Sequence, residues 1–173
     1  MVRKAVFADM GSIEETYNEH FAYEIENGAF TVFIKGIYPT VDNAKKAIEC
    51  GSLYVYEDNN RIAGSMIADR LQPAEYSRIC WEKVLGEDEV MVIHLLLVRP
   101  GMTGKGVASS LVDHAVRLAE GNLCKALRLD TGRQNIPAVS FYKKMGFRIV
   151  AQDSMKVGNV IEHSGHLFLE KIL

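Results

Sequence analysis

The chain has no apolar run approaching the roughly 18 residues that a membrane span requires. Its N-terminus turns acidic at Asp9 before any signal-like apolar segment develops, so a soluble protein of the cytoplasm is expected. Cysteine is scarce. Cys50, Cys80 and Cys124 lie far apart without a CxxC or Cys/His ligand spacing, which excludes a disulfide framework and predicts thiols buried in the core. An excess of one charge is missing as well: 20 Lys and Arg against 22 Asp and Glu leave a net charge of −2. No block of like charges forms a basic arm or an acidic tail, so no nucleic acid partner and no membrane partner are expected. No HxxxH or clustered carboxylate pattern supports a metal, and none is expected. Repeats, low-complexity tracts and linkers are absent too, and the expectation is one domain over residues 1–173.

What is present is a chain with 48% hydrophobic and 24% charged residues, enough to enclose a sizeable core and better matched to a small-molecule partner than to a polyanion. Val2 to Phe7 reads as a short strand. Gly11 to about Asn27 reads as a helix with Ile13, Tyr17, Phe21 and Ile25 on its apolar stripe. A second helix covers Val41 to Cys50 and stops at Gly51. Leu53 to Tyr56 and Ile62 to Ala68 form a hairpin pattern around the turn-forming Glu57 to Asn60. Arg70 to Glu89 has no clean period and reads as a long connection with a helical turn around Ser77 to Val84.

A strand over Val90–Val98 leads to a helix over Lys105–Glu120, with Val107, Leu111, Ala115 and Leu118 on one face and Gly121 as its stop. Next come a strand at Ala126–Asp130 and a helix from Pro137, at its first position, to Met145, stopped by Gly146. Strands at Phe147–Ala151 and Val160–Leu173 close the chain. The order β, α, α, β, β, β, α, β, α, β, β predicts an α/β (α+β) fold: a mixed, mostly antiparallel sheet flanked by helices, with one βαβ crossover.

The junction after Val98 carries the strongest functional signal. Pro100 breaks the strand, and Gly101, Gly104 and Gly106 open directly onto the helix. A helix N-terminus preceded by glycines offers unpartnered N–H groups and the positive end of the macrodipole, an arrangement suited to phosphate. A GxxxxGK[ST] loop is ruled out, because Lys105 is followed by Gly106 and the upstream glycine position is Arg99. A dinucleotide fingerprint matches only in part: Gly104 and Gly106 are followed by Ser109, although Asp130 falls at the end of the next strand.

A third pattern fits further along the chain. Val98, Pro100, Gly104, Gly106 and Ala108 resemble the VxPxxRGxGxG signature of the GNAT N-acetyltransferase superfamily. Leu127, Leu129, Asp130, Asn135, Pro137, Ala138 and the run Phe141 to Phe147 resemble its second half, LxLxVxxxNxxAxxFYxKxGF. The resemblance implies a GNAT-like fold with an acetyl-CoA core at about 90–149, acetyl-CoA as co-substrate, and direct acetyl transfer to an amine in a ternary complex. The acceptor would be a small-molecule amine or a peptide. A coenzyme A binder without catalytic activity, or a dinucleotide-binding protein, is the alternative.

The resemblance also assigns residues. Pyrophosphate falls to Thr103, Gly104, Lys105, Gly106, Val107, Ala108 and Ser109, and pantetheine to the backbone of Leu96, Leu97 and Val98. Thr103 stands where the family usually has Arg or Gln, which shifts phosphate binding toward backbone N–H groups and Lys105. Tyr142 matches the tyrosine that protonates the leaving thiolate. Asn135 matches a position that bonds pantetheine amides, and it is equally placed to cap a helix. Two candidates for the general base are open. His94 resembles one strand histidine of arylalkylamine N-acetyltransferases, although Val92 stands where the second would be. Asp130 resembles the strand carboxylate of ribosomal-protein N-acetyltransferases. Glu75, Glu82 or a water chain are further options. His163 and His166 either border the acceptor pocket or lie on a solvated strand face, and Tyr38, Tyr76 and Trp81 are candidate pocket walls. A homodimer through the C-terminal strands is a further expectation.

Overall fold

The computed structural model describes residues 1–173, and its elements follow the predicted order: β1 (Val2–Lys4), α1 (Met10–Asn27), α2 (Val41–Glu49), β2 (Leu53–Asp58), β3 (Arg61–Asp69), β4 (Val90–Val98), α3 (Val107–Gly121), β5 (Ala126–Gly132), α4 (Ile136–Lys144), β6 (Arg148–Val157) and β7 (Ile161–Ile172). The strands form one seven-stranded mixed sheet of order β1-β2-β3-β4-β5-β7-β6. β1 with β2, β2 with β3, β5 with β7 and β6 with β7 are antiparallel, and the β4-α3-β5 crossover makes the parallel pair.

The chain divides into two compact units: Met1–Ala29, Phe33–Ala68 and His94–His114 in the first, and Phe30–Val32, Asp69–Ile93 and Ala115–Leu173 in the second. In the first, α1 presents Ile13, Tyr17 and Phe21 at helical spacing to Leu53, Val55 and Ile62 of the hairpin and to Leu95 and Leu97 of β4. Ile25 departs from the predicted stripe and is 81% exposed; Glu24 is the buried residue of that turn. Asn59 and Asn60 supply the positive φ values of 48° and 59° that a two-residue hairpin turn requires. Asn43 closes the start of α2 by accepting from the Thr40 N–H at 2.8 Å.

In the second unit, Val90, Val92, Leu127, Leu129, Phe168 and Leu169 are almost wholly buried. The parallel ladder runs from Val90↔Ala126 to Ile93↔Leu129, while β4 continues to Val98. Arg128 and Glu170, opposite one another in β5 and β7, form a buried ion pair at 2.9 Å. The same guanidinium donates to Gln72 at 2.9 Å and to the Lys83 carbonyl at 3.0 Å, and lies 4.2 Å from the centre of the Trp81 ring. These contacts fasten the segment 70–89 to the sheet.

Several boundaries differ from expectation. β1 ends at Lys4 because Phe7–Asp9 forms a 3-10 turn, held by the Asp9 carboxylate accepting from the Val6 N–H at 2.8 Å. The helical turn expected around Ser77 to Val84 lies earlier, at Ala74–Arg78, where Pro73 sets the entry geometry. α3 continues through Gly121, and Leu123 at φ 60° closes it, with the Cys124 N–H returning to the Ala119 carbonyl at 2.9 Å. Pro137 is the second helical residue of α4, after Ile136, and Gly146 ends that helix at φ 88°. β6 extends to Val157 because Gly158 and Asn159, at φ 59° and 61°, turn the chain into β7. Cys50 and Cys80 are exposed, at a helix end and in the 70–89 segment, and only Cys124 is buried. β7 lies between β5 and β6, so of the two C-terminal strands only β6 is at the sheet edge.

Candidate active site

The glycine turn begins where β4 ends. Arg99 is 2% exposed, and a buried guanidinium must find acceptors for its donors. It donates to the Ile62 carbonyl at 2.6 Å, the Ser12 carbonyl at 3.2 Å and Glu15 at 3.0 Å, and it pairs with Glu19. Its own N–H bonds the Ala63 carbonyl at 2.9 Å. The start of the loop is thereby tied to α1 and β3 from behind. Gly64 permits this approach: a Cβ there would meet the Leu97 carbonyl at 2.8 Å.

Pro100–Met102 makes a 3-10 turn, and Gly104 and Gly106 take φ values of 78° and 80°, conformations that a side chain disfavours. Ser110 fixes the mouth of α3 by donating both its N–H, at 3.0 Å, and its hydroxyl, at 2.9 Å, to the Gly106 carbonyl. Val107 is buried, whereas Thr103, Gly104, Lys105 and Gly106 are exposed, and Ala108 and Ser109 are half-buried. The N–H groups of Val107, Ala108 and Ser109 lie in the first turn, where no preceding helical carbonyl can accept them. On β4, His94, Leu96 and Val98 alternate as half-buried residues with the buried Leu95 and Leu97, so His94 shares a face with Leu96 and Val98.

The second unit gathers titratable side chains at the end of β5. Asp130 accepts from the Tyr76 hydroxyl at 2.9 Å and lies 3.5 Å from His166 Nε2. His166 Nδ1 is 2.7 Å from His163 Nδ1. Burial and the neighbouring His163 lower the His166 pKa to about 4. Burial, then the Asp130 charge, raise the Tyr76 and Tyr142 phenols above their ordinary value, which keeps both protonated. Tyr142 is 7% exposed and packs against Phe141 and Phe147. Asn135 caps α4 through Oδ1, which accepts from the Ala138 N–H at 3.3 Å; the cap leaves its amide NH2 uninvolved.

The acetyltransferase (GNAT) family model matches residues 15–147, most of the chain and the whole of the glycine turn. The chain belongs to the GNAT acetyltransferase family. GNAT structures share its fold: one from Streptococcus agalactiae superposes with a TM-score of 0.82 at 18% identity, covering 100% of this chain and 95% of that one. Salmonella typhimurium yncA, solved with its cofactor acetyl-CoA, gives 0.70 at 18% identity over 100% and 93%. In sequence, the peptidyl-lysine N-acetyltransferase YjaB of Salmonella typhimurium is 34% identical over 83 residues, 43% of this chain and 54% of that protein. The chain thus spans about half the length of that curated relative.

Within this GNAT chain, Tyr142 and Asp130 belong to one electrostatic neighbourhood, and His94 lies in the other unit. Tyr76, His163 and His166 gain partners that the sequence does not reveal, and neither does it reveal the anchoring role of Arg99. The Ser164–Gly165 pair inside an alternating strand was the available signal for the histidines, since an isolated glycine there marks a bulge.

Proposed function

We propose that this chain is an acetyl-CoA-dependent N-acetyltransferase acting directly on an amine. The observation that carries the reading is the glycine turn. Two left-handed glycines, a buried arginine behind them and the open N-terminus of α3 form a rigid set of N–H donors within the segment matched by the family model. In this reading Thr103, Gly104, Lys105, Gly106, Val107, Ala108 and Ser109 receive the pyrophosphate. The backbone of Leu96, Leu97 and Val98 receives the pantetheine, with the Asn135 amide as a further donor.

Acetyl-CoA supplies an activated thioester carbonyl. The neutral amine adds to that carbonyl, the C–S bond breaks, and the electron pair departs on sulfur. Tyr142, held protonated by burial, donates a hydrogen bond to the developing thiolate. Because burial makes the phenol a weaker acid than a thiol, it holds a hydrogen bond to the sulfur as charge develops, and the proton that completes the thiol is the one shed by the amide nitrogen as the C–S bond breaks.

Acetyl-CoA at a hundred times Kd stabilises the fold by about 2.7 kcal/mol, a rise in Tm of roughly 5–10 °C, whereas NADH gives none. Thiol release is then measured against a panel containing a lysine peptide, spermidine, phenethylamine and a peptide with a free alanine N-terminus. The lysine peptide comes first because YjaB is named for peptidyl-lysine. Tyr142→Phe lowers turnover by about 10- to 100-fold with acetyl-CoA binding unchanged. A rise in Tm with NADH but not acetyl-CoA overturns the reading.

A further inference from the structure

The geometry points to His163 as the base that takes the proton from the acceptor amine, with His166 and Asp130 behind it as positioning residues. This rests on the acetyltransferase reading, and it assigns the proton to neither of the candidates that the sequence suggested.

Residues three apart in a regular strand face opposite sides of a sheet. Here the pairing of β6 with β7 steps from Asp153↔His166 to Ser154↔Ser164, so Gly165 is an extra residue in β7, at φ 151°. That bulge returns His163 to the face of His166 and brings the two rings within 4.7 Å, edge to face. Gly165 suits the position twice over: its φ disfavours a side chain, and a Cβ there would meet Arg133 Nε at 3.2 Å.

The partners assign the tautomers. The Asp130 carboxylate, 3.5 Å from His166 Nε2, favours the tautomer with the His166 proton on Nε2 and a lone pair at Nδ1. The 2.7 Å contact between the Nδ1 atoms requires one proton, which His163 supplies. The lone pair of His163 is therefore on Nε2. The chain Tyr76–Asp130–His166–His163 ends at that nitrogen, and its open end is at His163, which is half-buried where His166 is 2% exposed. The low His166 pKa keeps that ring neutral, as an acceptor for His163.

Two carboxylates near the pair have their own partners. Asp153, opposite His166 in β6, pairs with Arg78 at 3.4 Å, and Glu162 pairs with Lys156 at 3.8 Å. Met155 stands opposite His163, Arg133 lies beside Gly165, and Tyr142 of α4 is coupled electrostatically to Asp130. The ammonium of the acceptor gives one proton to His163 Nε2. The imidazolium keeps its Nδ1–H on His166, and the freed electron pair on nitrogen attacks the thioester.

The test uses the intact enzyme with acetyl-CoA and the amine of highest turnover in the panel. His163→Gln lowers kcat/KM for the amine at least 100-fold at pH 7 and removes the acid-side ionisation from its pH profile, while the Kd for acetyl-CoA is unchanged. Added imidazole restores part of the turnover to His163→Ala. Asp130→Asn displaces the ionisation without abolishing it. Wild-type rate and pH profile in His163→Gln overturn the assignment alone, as does a rate loss that comes with lost acetyl-CoA binding. Acetyl-CoA binding by the wild type without thiol release for any amine overturns the assignment and the acetyltransferase reading together.

Discussion

In the first unit the buried charge sits behind the proposed phosphate surface: Arg99 faces α1 and β3, while Thr103, Lys105 and the glycines it steadies are exposed. In the second, the polar groups form the proposed proton path themselves: the Tyr76 hydroxyl donates to Asp130, His166 lies 3.5 Å from that carboxylate, and Arg128 is joined to Glu170 further along the same strands. Binding a pyrophosphate that is already charged needs fixed dipoles and no proton transfer, so backbone N–H groups suffice. Moving a proton needs groups whose pKa values burial can adjust, and these cost stability unless each finds a partner. The two regions therefore differ in how they fail when altered.

The largest contrast is in stability. Glu170→Ala strands the Arg128 guanidinium without its carboxylate and loosens the attachment of the 70–89 segment, costing about 3–5 kcal/mol and lowering Tm by roughly 10 °C or more. Glu15→Ala, which removes a carboxylate that is 66% exposed from the Arg99 cluster, costs at most about 1 kcal/mol. Thermal melts of the two variants measure the difference directly. Equal losses would abolish the distinction between a buried pair and an exposed partner.

Acid sharpens the comparison next. His166 has a folded pKa near 4 against an unfolded value near 6.5, so the unfolded chain binds more protons between those limits. Its contribution is complete above pH 6.5 and is lost as pH falls toward 4, with about 2 kcal/mol disappearing between pH 7 and pH 5. Burial lowers the His20 pKa in the first unit, so that residue acts in the same direction. Asp9, held low by Arg3, loses its contribution only as pH falls below the ordinary carboxylate range. Urea unfolding at pH 7 and pH 5 resolves these shares: His166→Gln shrinks the difference between the two pH values, whereas an unchanged difference assigns it to other groups.

The same contrast explains what could be read from the chain. The loop is a local feature: Pro100, Gly104 and Gly106 state their backbone conformations in sequence, and the following helix is legible from Val107, Leu111 and Ala115. Element order was legible for the same reason. The proton-carrying cluster is assembled from residues 76, 130, 163 and 166, and depends on an extra residue in β7 that reverses the facing of His163. Alternation alone places the two histidines on opposite sides; Gly165 marks where that alternation can break, and the register with β6 fixes that it does. Arg99 is a related case, because its burial depends on acceptors 37 to 87 residues away. Asn135 was legible only in part: its capping role follows from its place before Pro137, but its unused amide gives no sign of a second partner.

The smallest effect tests whether the first region works through dipoles. Thr103 is exposed at the position where an arginine or glutamine is usual in the family, so Thr103→Arg adds a solvent-screened cation without disturbing the buried anchor. A charge-assisted bond to phosphate at such a position contributes about 0.5–1 kcal/mol, a two- to fivefold fall in the acetyl-CoA Kd at low salt that fades as ionic strength rises. Calorimetric titration at two salt concentrations measures it. A gain much larger than this would mean that the native loop lacks a charge it needs; a modest, salt-sensitive gain is what a site already satisfied by the α3 N–H groups predicts. No change at either concentration would place residue 103 away from the pyrophosphate and leave Lys105 as the loop's only cationic contact.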